Sequence, residues 1–114
     1  MELVNDTVTR VCAATGVSKC RIMSRERSAP VATVRFMVYY ILCKHHKLSC
    51  SHVGKALGRT HATVMHGIKV AEYWLNPGIR DWDSKLNGEK LTQIINELNS
   101  ENEELKQQND ADKP

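Results

Sequence analysis

One glycine, Gly58, separates two unequal apolar patterns, and this arrangement limits what the chain can fold into more than any other feature of it. Before it, Val53, Ala56 and Leu57 fit a very short helix that Ser49 or Ser51 can cap. After it, Thr60 is placed to cap a second helix in which Val64, Ile68, Ala71 and Leu75 recur at intervals of four, three and four. Short helix, tight glycine turn, longer helix is the syntax of a helix-turn-helix.

The flanking segments fit the same all-α reading. A helix is predicted to begin after Asn5 or Asp6, to carry Val8, Val11 and Cys12 inward, and to stop at Gly16; Ser18 then caps one short turn through Ile22. The run Ser24-Arg25-Glu26-Arg27-Ser28 has no apolar residue and reads as an exposed basic loop. Pro30 suits the first turn of a central helix with a wide apolar face made by Val31, Val34, Met37, Val38, Ile41 and Leu42, and Lys44 to Leu48 reads as a polar connection. Tyr39, Tyr40, Trp74 and Trp82 are expected to pack in the core or at its rim.

Asn76-Pro77-Gly78 is the clearest break, and it coincides with a reversal of charge. Residues 1–75 hold eleven Lys and Arg against four Asp and Glu, a net +7, whereas residues 76–114 hold five against nine, a net −4. The first part is therefore the candidate for binding a polyanion. The expected organisation is a helix-turn-helix domain over residues 1–82, with Ile79 and Trp82 folding back on its core. An amphipathic helical tail over 83–106 follows, marked by Leu91, Ile94 or Ile95, Leu98 and Leu105, and then a disordered C-terminus over 107–114. Residues 84–106 are also where weak self-association or a protein partner is expected.

Several classes of function find no support. The longest apolar run, Phe36 to Cys43, is far too short to span a bilayer, and the first residues lack a basic-then-apolar export signal, so a cytoplasmic location without membrane contact is expected. Cys43, His45, His46, Cys50 and His52 lie within ten residues, but their irregular spacing favours a helix end and a polar turn over a zinc knuckle. The four cysteines read as reduced thiols. No acid pair, nucleophile elbow or ordered His-Cys set is present, so neither enzymatic activity nor a metal or other cofactor is expected.

The stretch Gly58-Arg59-Thr60-His61-Ala62-Thr63-Val64-Met65-His66 joins the turn to the second helix of the unit. In such motifs the first turn of that helix enters the major groove, where base edges offer donors, acceptors and the thymine methyl. With Val64, Ile68 and Ala71 turned inward, the side chains left outside are Arg59, Thr60, His61, Thr63 and His66. Thr and Ala can meet a thymine methyl, and a neutral His can donate or accept.

These blocks resemble the C-terminal DNA-binding domain of the bacterial replication initiator DnaA. The resemblance runs in order through Ser24-Arg25-Glu26-Arg27-Ser28, Val31-Ala32-Thr33-Val34-Arg35, Ser49 with Val53-Gly54, and Gly58 to His66. It covers roughly residues 4–75 and implies a Trp-repressor-like helical bundle that binds double-stranded DNA. It also implies that Arg27 reaches the minor groove, with Arg25 in the same basic loop, that His61 and Thr63 read bases around Ala62, and that Arg35 and Arg59 lie near the DNA backbone. Thr60 stands where the family has Asp, Ala62 where it has Thr, and Glu26 where it has a basic residue, so the preferred site is expected to differ from the initiator's own. No G-x-x-x-x-G-K-[ST] occurs, so no nucleotide is expected to bind. The resemblance implies a role in DNA replication or its regulation; regulation of transcription, of phage or plasmid type, and a helical adaptor acting through residues 84–106 are the alternatives.

Overall fold

Three valines at helical spacing, Val4, Val8 and Val11, are almost wholly shielded from solvent and place one face of the first helix, α1 (Glu2–Thr15), against the core. The computed structural model describes residues 2–111, and among them there are six α-helices and no strand. The helix begins ahead of Asn5 and Asp6, so neither caps it; it stops as expected at Gly16, whose φ of 79° turns the chain out. Ser18 caps the short α2 (Lys19–Met23), its hydroxyl accepting from the Arg21 N–H at 3.4 Å.

The central helix α3 (Ala29–Tyr40) carries Pro30 in its first turn, where a missing N–H costs nothing, and buries Val31, Val34, Met37 and Val38. The chain does not become a loop at Lys44. It runs on as one π-helical turn, Ile41–His45, and the wider turn sets the consecutive residues Ile41 and Leu42 both fully inside the core. Lys47 then takes a left-handed φ of 62°, and the Leu48 N–H returns to the Leu42 carbonyl at 3.0 Å.

Ser49, rather than Ser51, caps α4 (Cys50–Leu57), and Gly58 ends it at φ 68°, a conformation costly for any residue with a Cβ. Thr60 caps α5 (His61–Trp74), accepting from the Thr63 N–H at 3.2 Å. Val64, Ile68, Ala71 and Trp74 face inward, and α5 packs most extensively on α3. The exposed Lys44–Glu72 pair, 3.2 Å apart, joins the π-helical turn to α5 and contributes under about 1 kcal/mol.

After the Asn76-Pro77-Gly78 turn, Asp81 receives the N–H and the hydroxyl of Ser84 at 3.1 and 2.7 Å, opening α6 (Trp82–Ala111). The helix expected as an appendage packs on α1 and α5, and Leu91 and Ile94 are as buried as any residue in the molecule. The stripe assigned to self-association is thus used within the chain as far as Leu98, which packs against the same core. Ile79 folds back as expected, but Trp82 does not: it is 75% exposed on the side of α6 away from the core. Residues 107–111, expected to be disordered, continue the helical backbone, and 112–114 lie outside the described residues.

Candidate nucleic-acid interface

Thr60 makes the first turn of α5 a free helix N-terminus that faces outward. Its hydroxyl caps the Thr63 N–H and lies 2.9 Å from the Thr63 hydroxyl, while Thr60, His61, Ala62 and Thr63 are all exposed and Val64 closes the turn from behind. No acidic side chain lies in that first turn, so its N–H groups and the helix dipole are left to attract an anion. His66, one turn on, is exposed but stands edge-on to Phe36 with ring centroids 5.7 Å apart, which fixes its ring against α3.

The basic loop between α2 and α3 is held by an arginine from beneath. Arg35, only 8% exposed, directs its guanidinium at four backbone carbonyls: Nε to Ile22 at 2.8 Å, Nη2 to Arg21 at 3.1 Å and Ser24 at 2.5 Å, and Nη1 to Glu26. Burial, with the charge of Arg59 nearby, pulls its pKa below the ordinary arginine value. A planar fork with five donors suits this task where a lysine would not. Four of the five donors of Arg35 are thereby committed to shaping the loop, whereas the resemblance implies a position near the DNA backbone, and its side chain also lines the cleft described below.

Arg59 is half-buried and also turns inward. Its Nη2 donates to the same Ser24 carbonyl and its side chain hydrogen-bonds the hydroxyl of buried Tyr39, whose pKa is nevertheless raised, chiefly by burial. The turn of the helix-turn-helix is thereby fastened to the basic loop. Arg25 and Arg27 remain exposed on that loop. Together with Arg59, Tyr39, Phe36 and Thr63 they line one open cleft of about 520 Å³, which brings the loop and the start of α5 to a common surface. Thr60, His61, Ala62 and His66 are exposed on α5 but do not line it. Larger grooves run beside α6, but neither is basic: one has Lys85 against Glu89 and Glu97, the other Arg10 and Lys90 against Asp6 and Glu97.

Two residues of this region have roles that the sequence reading did not reach. Arg21 and Glu26 form a two-toothed ion pair, Nη2–Oε2 2.6 Å and Nε–Oε1 3.2 Å, and the Ser28 hydroxyl donates to the same carboxylate. The hydrogen bonds from Arg21 and then Ser28 hold the Glu26 carboxyl well below the usual range, to about 2. Opposite charges five positions apart across a turn were the available signal. On the far side, Cys43 and Cys50 bring their sulfurs to 3.9 Å, and burial followed by the neighbouring Cys50 pushes the Cys43 thiol up to about 12. Among the described residues no three His, Cys, Asp or Glu side chains converge as a metal ion would require.

Residues 4–70 match the family described as "Bacterial dnaA protein helix-turn-helix". The chain is 30% identical over 73 residues to the chromosomal replication initiator protein DnaA of Oleidesulfovibrio alaskensis, covering 64% of this chain and 16% of that protein. It is 33% identical over 97 residues to the protein of the same description from Kosmotoga olearia, covering 85% of this chain and 20% of the relative. The chain thus spans a fifth or less of the length of the curated relatives that it matches.

Proposed function

This chain belongs to the family of the bacterial DnaA helix-turn-helix, and we propose on that footing that it binds double-stranded DNA with sequence preference, at origin-like sites in replication initiation or its control. The start of α5 enters the major groove, where His61 and Thr63 present polar atoms on either side of the Ala62 methyl. Arg27, from the loop, reaches the adjacent minor groove, and Arg25 and the free N–H groups at the start of α5 meet phosphates. The observation that carries this reading is the single cleft in which the loop arginines and the first turn of α5 meet, backed by a net +7 over residues 1–75. The chemistry asked of the site is binding alone, and no helix of the described residues is long and apolar enough to cross a membrane.

Selection of bound duplexes from a random pool tests this. A single recovered motif, bound with an affinity that falls steeply as salt rises, is the expected result. Salt-insensitive binding, or recovery of no motif, would remove it and leave the protein-binding reading of α6.

A further inference from the structure

A carboxylate on a loop that faces phosphate works against binding, and Glu26 lies between the two exposed arginines of that loop. It is held from four directions. Its carboxylate takes both teeth of the Arg21 guanidinium and the Ser28 hydroxyl. Its N–H donates to the Ser24 hydroxyl at 3.1 Å, and its carbonyl accepts from Arg35. The side chain therefore joins the end of α2 to the cap of α3, while the residues on either side, Arg25 and Arg27, stay outside.

Two opposing effects follow. The negative charge removes attraction to any duplex, whatever its sequence. The latch fixes the backbone from which Arg27 projects, so less freedom is lost when that arginine enters a groove. The first effect is independent of sequence, whereas the second counts only where Arg27 meets base edges.

We propose that Glu26 is a positioning residue that gives up general affinity for DNA in return for discrimination, its carboxylate clamping Arg21 and Ser28 so that Arg27 is presented in one orientation. The inference rests on the DNA-reading function proposed above. Arg21 acts through the same clamp and is not itself a base contact.

Equilibrium binding of the full chain to its selected duplex and to a random duplex of equal length, at several salt concentrations, tests it. Glu26→Gln keeps the shape but removes the charge; it should tighten random binding and lower the ratio of selected to random affinity by about tenfold, the scale of one base contact. Arg21→Ala should weaken random binding, having lost a cation, yet lower the same ratio. The double variant should lose no more discrimination than either single one, and in an Arg27→Ala background Glu26→Gln should leave the ratio where it is. If Glu26→Gln tightens both duplexes equally, the carboxylate only repels and the clamp has no role. Additive losses in the double variant would overturn the proposal as well. A wild-type chain that does not discriminate at all would instead remove the DNA-reading function beneath it, so the two failures are distinguishable.

Discussion

Gly88 lies so close beneath the end of α5 that a Cβ built on it would stand 2.4 Å from the carbonyl oxygen of Trp74. Two helices cross there backbone to backbone. Gly88→Ala should therefore lower stability, since forcing apart a packed crossing costs about 1–3 kcal/mol and exceeds the gain of up to about 1 kcal/mol in helix propensity. Urea denaturation decides it, with Asn96→Ala on an exposed position of the same helix as the control that should stabilise slightly. A more stable Gly88→Ala protein would show that α6 does not seat on Trp74.

The same crossing bears on where the chain can be shortened. A chain ending at residue 100 keeps Leu91 and Ile94 and should unfold cooperatively near the full-length midpoint. A chain ending at residue 82 exposes the surfaces of α1 and α5 that these side chains cover, each worth about 1.5–3 kcal/mol. It should be unfolded or marginal by circular dichroism. Leu91→Ala in the full chain should cost about 2–5 kcal/mol.

Removing Arg35 should act on fold before function. Arg35→Ala takes the donors from four carbonyls and should lower stability by about 2–4 kcal/mol, and Arg35→Lys should recover little of it because an ammonium cannot reproduce the fork. Thermal melting without DNA is the readout. Unchanged melting together with weakened DNA binding would mean that Arg35 faces phosphate after all.

Base reading is tested at the start of α5. His61→Ala should erase discrimination between the selected and random duplexes while leaving random, salt-driven binding nearly intact. Arg27→Ala should cost about 1–3 kcal/mol on the selected duplex and much less on random DNA. Thr60→Asp keeps a good cap and places an acceptor where the DnaA family has one, so duplex selection should show a changed preference at one base pair. Identical preferred sites for wild type, His61→Ala and Thr60→Asp would mean that this helix does not read bases.

Glu26 also makes the loop sensitive to acid in a defined direction. Because folding depresses its carboxyl from the ordinary value of 4.5 to about 2, the clamp's contribution is fully present above the ordinary value and is lost as pH falls toward 2. Carboxyl resonances followed by NMR should show Glu26 titrating well below the ordinary carboxylate range. Arg21→Ala should return it toward the ordinary range, and an unshifted Glu26 in the wild type would mean that the ion pair does not persist in solution.

Much of this was legible from local chemistry. Ser18, Ser49 and Thr60 announced helix starts, and Gly16 and Gly58 announced helix ends, because capping depends on one side chain or one φ angle. Elements set by packing were less legible. Lys44 and His45 read as a polar connection because they end the apolar run, whereas the π-helical turn that carries the buried pair Ile41 and Leu42 is set by packing that no local pattern announces. Leu91, Ile94 and Leu98 read as a free seam since their partners, on α1 and α5, lie far away in the chain. In the site, exposure was foreseen for Arg25, Arg27, His61 and Thr63. Arg35 and Arg59 were expected near the DNA backbone, and their hydrogen bonds to loop carbonyls were not foreseen, because nothing in a sequence marks an arginine that organises carbonyls.

The carbonyl of Ser24, shared by Arg35 and Arg59, bears on the timing of recognition. With that loop tied to α3 on one side and to the turn before α5 on the other, the protein reaches its duplex with the contact surface already assembled. If this surface binds DNA as proposed, no slow rearrangement should stand between collision and capture. The association rate is then governed by diffusion and by the field of the basic half of the chain, and it should fall with ionic strength. The lifetime of the proposed complex, by contrast, should be set by the few side chains that meet base edges.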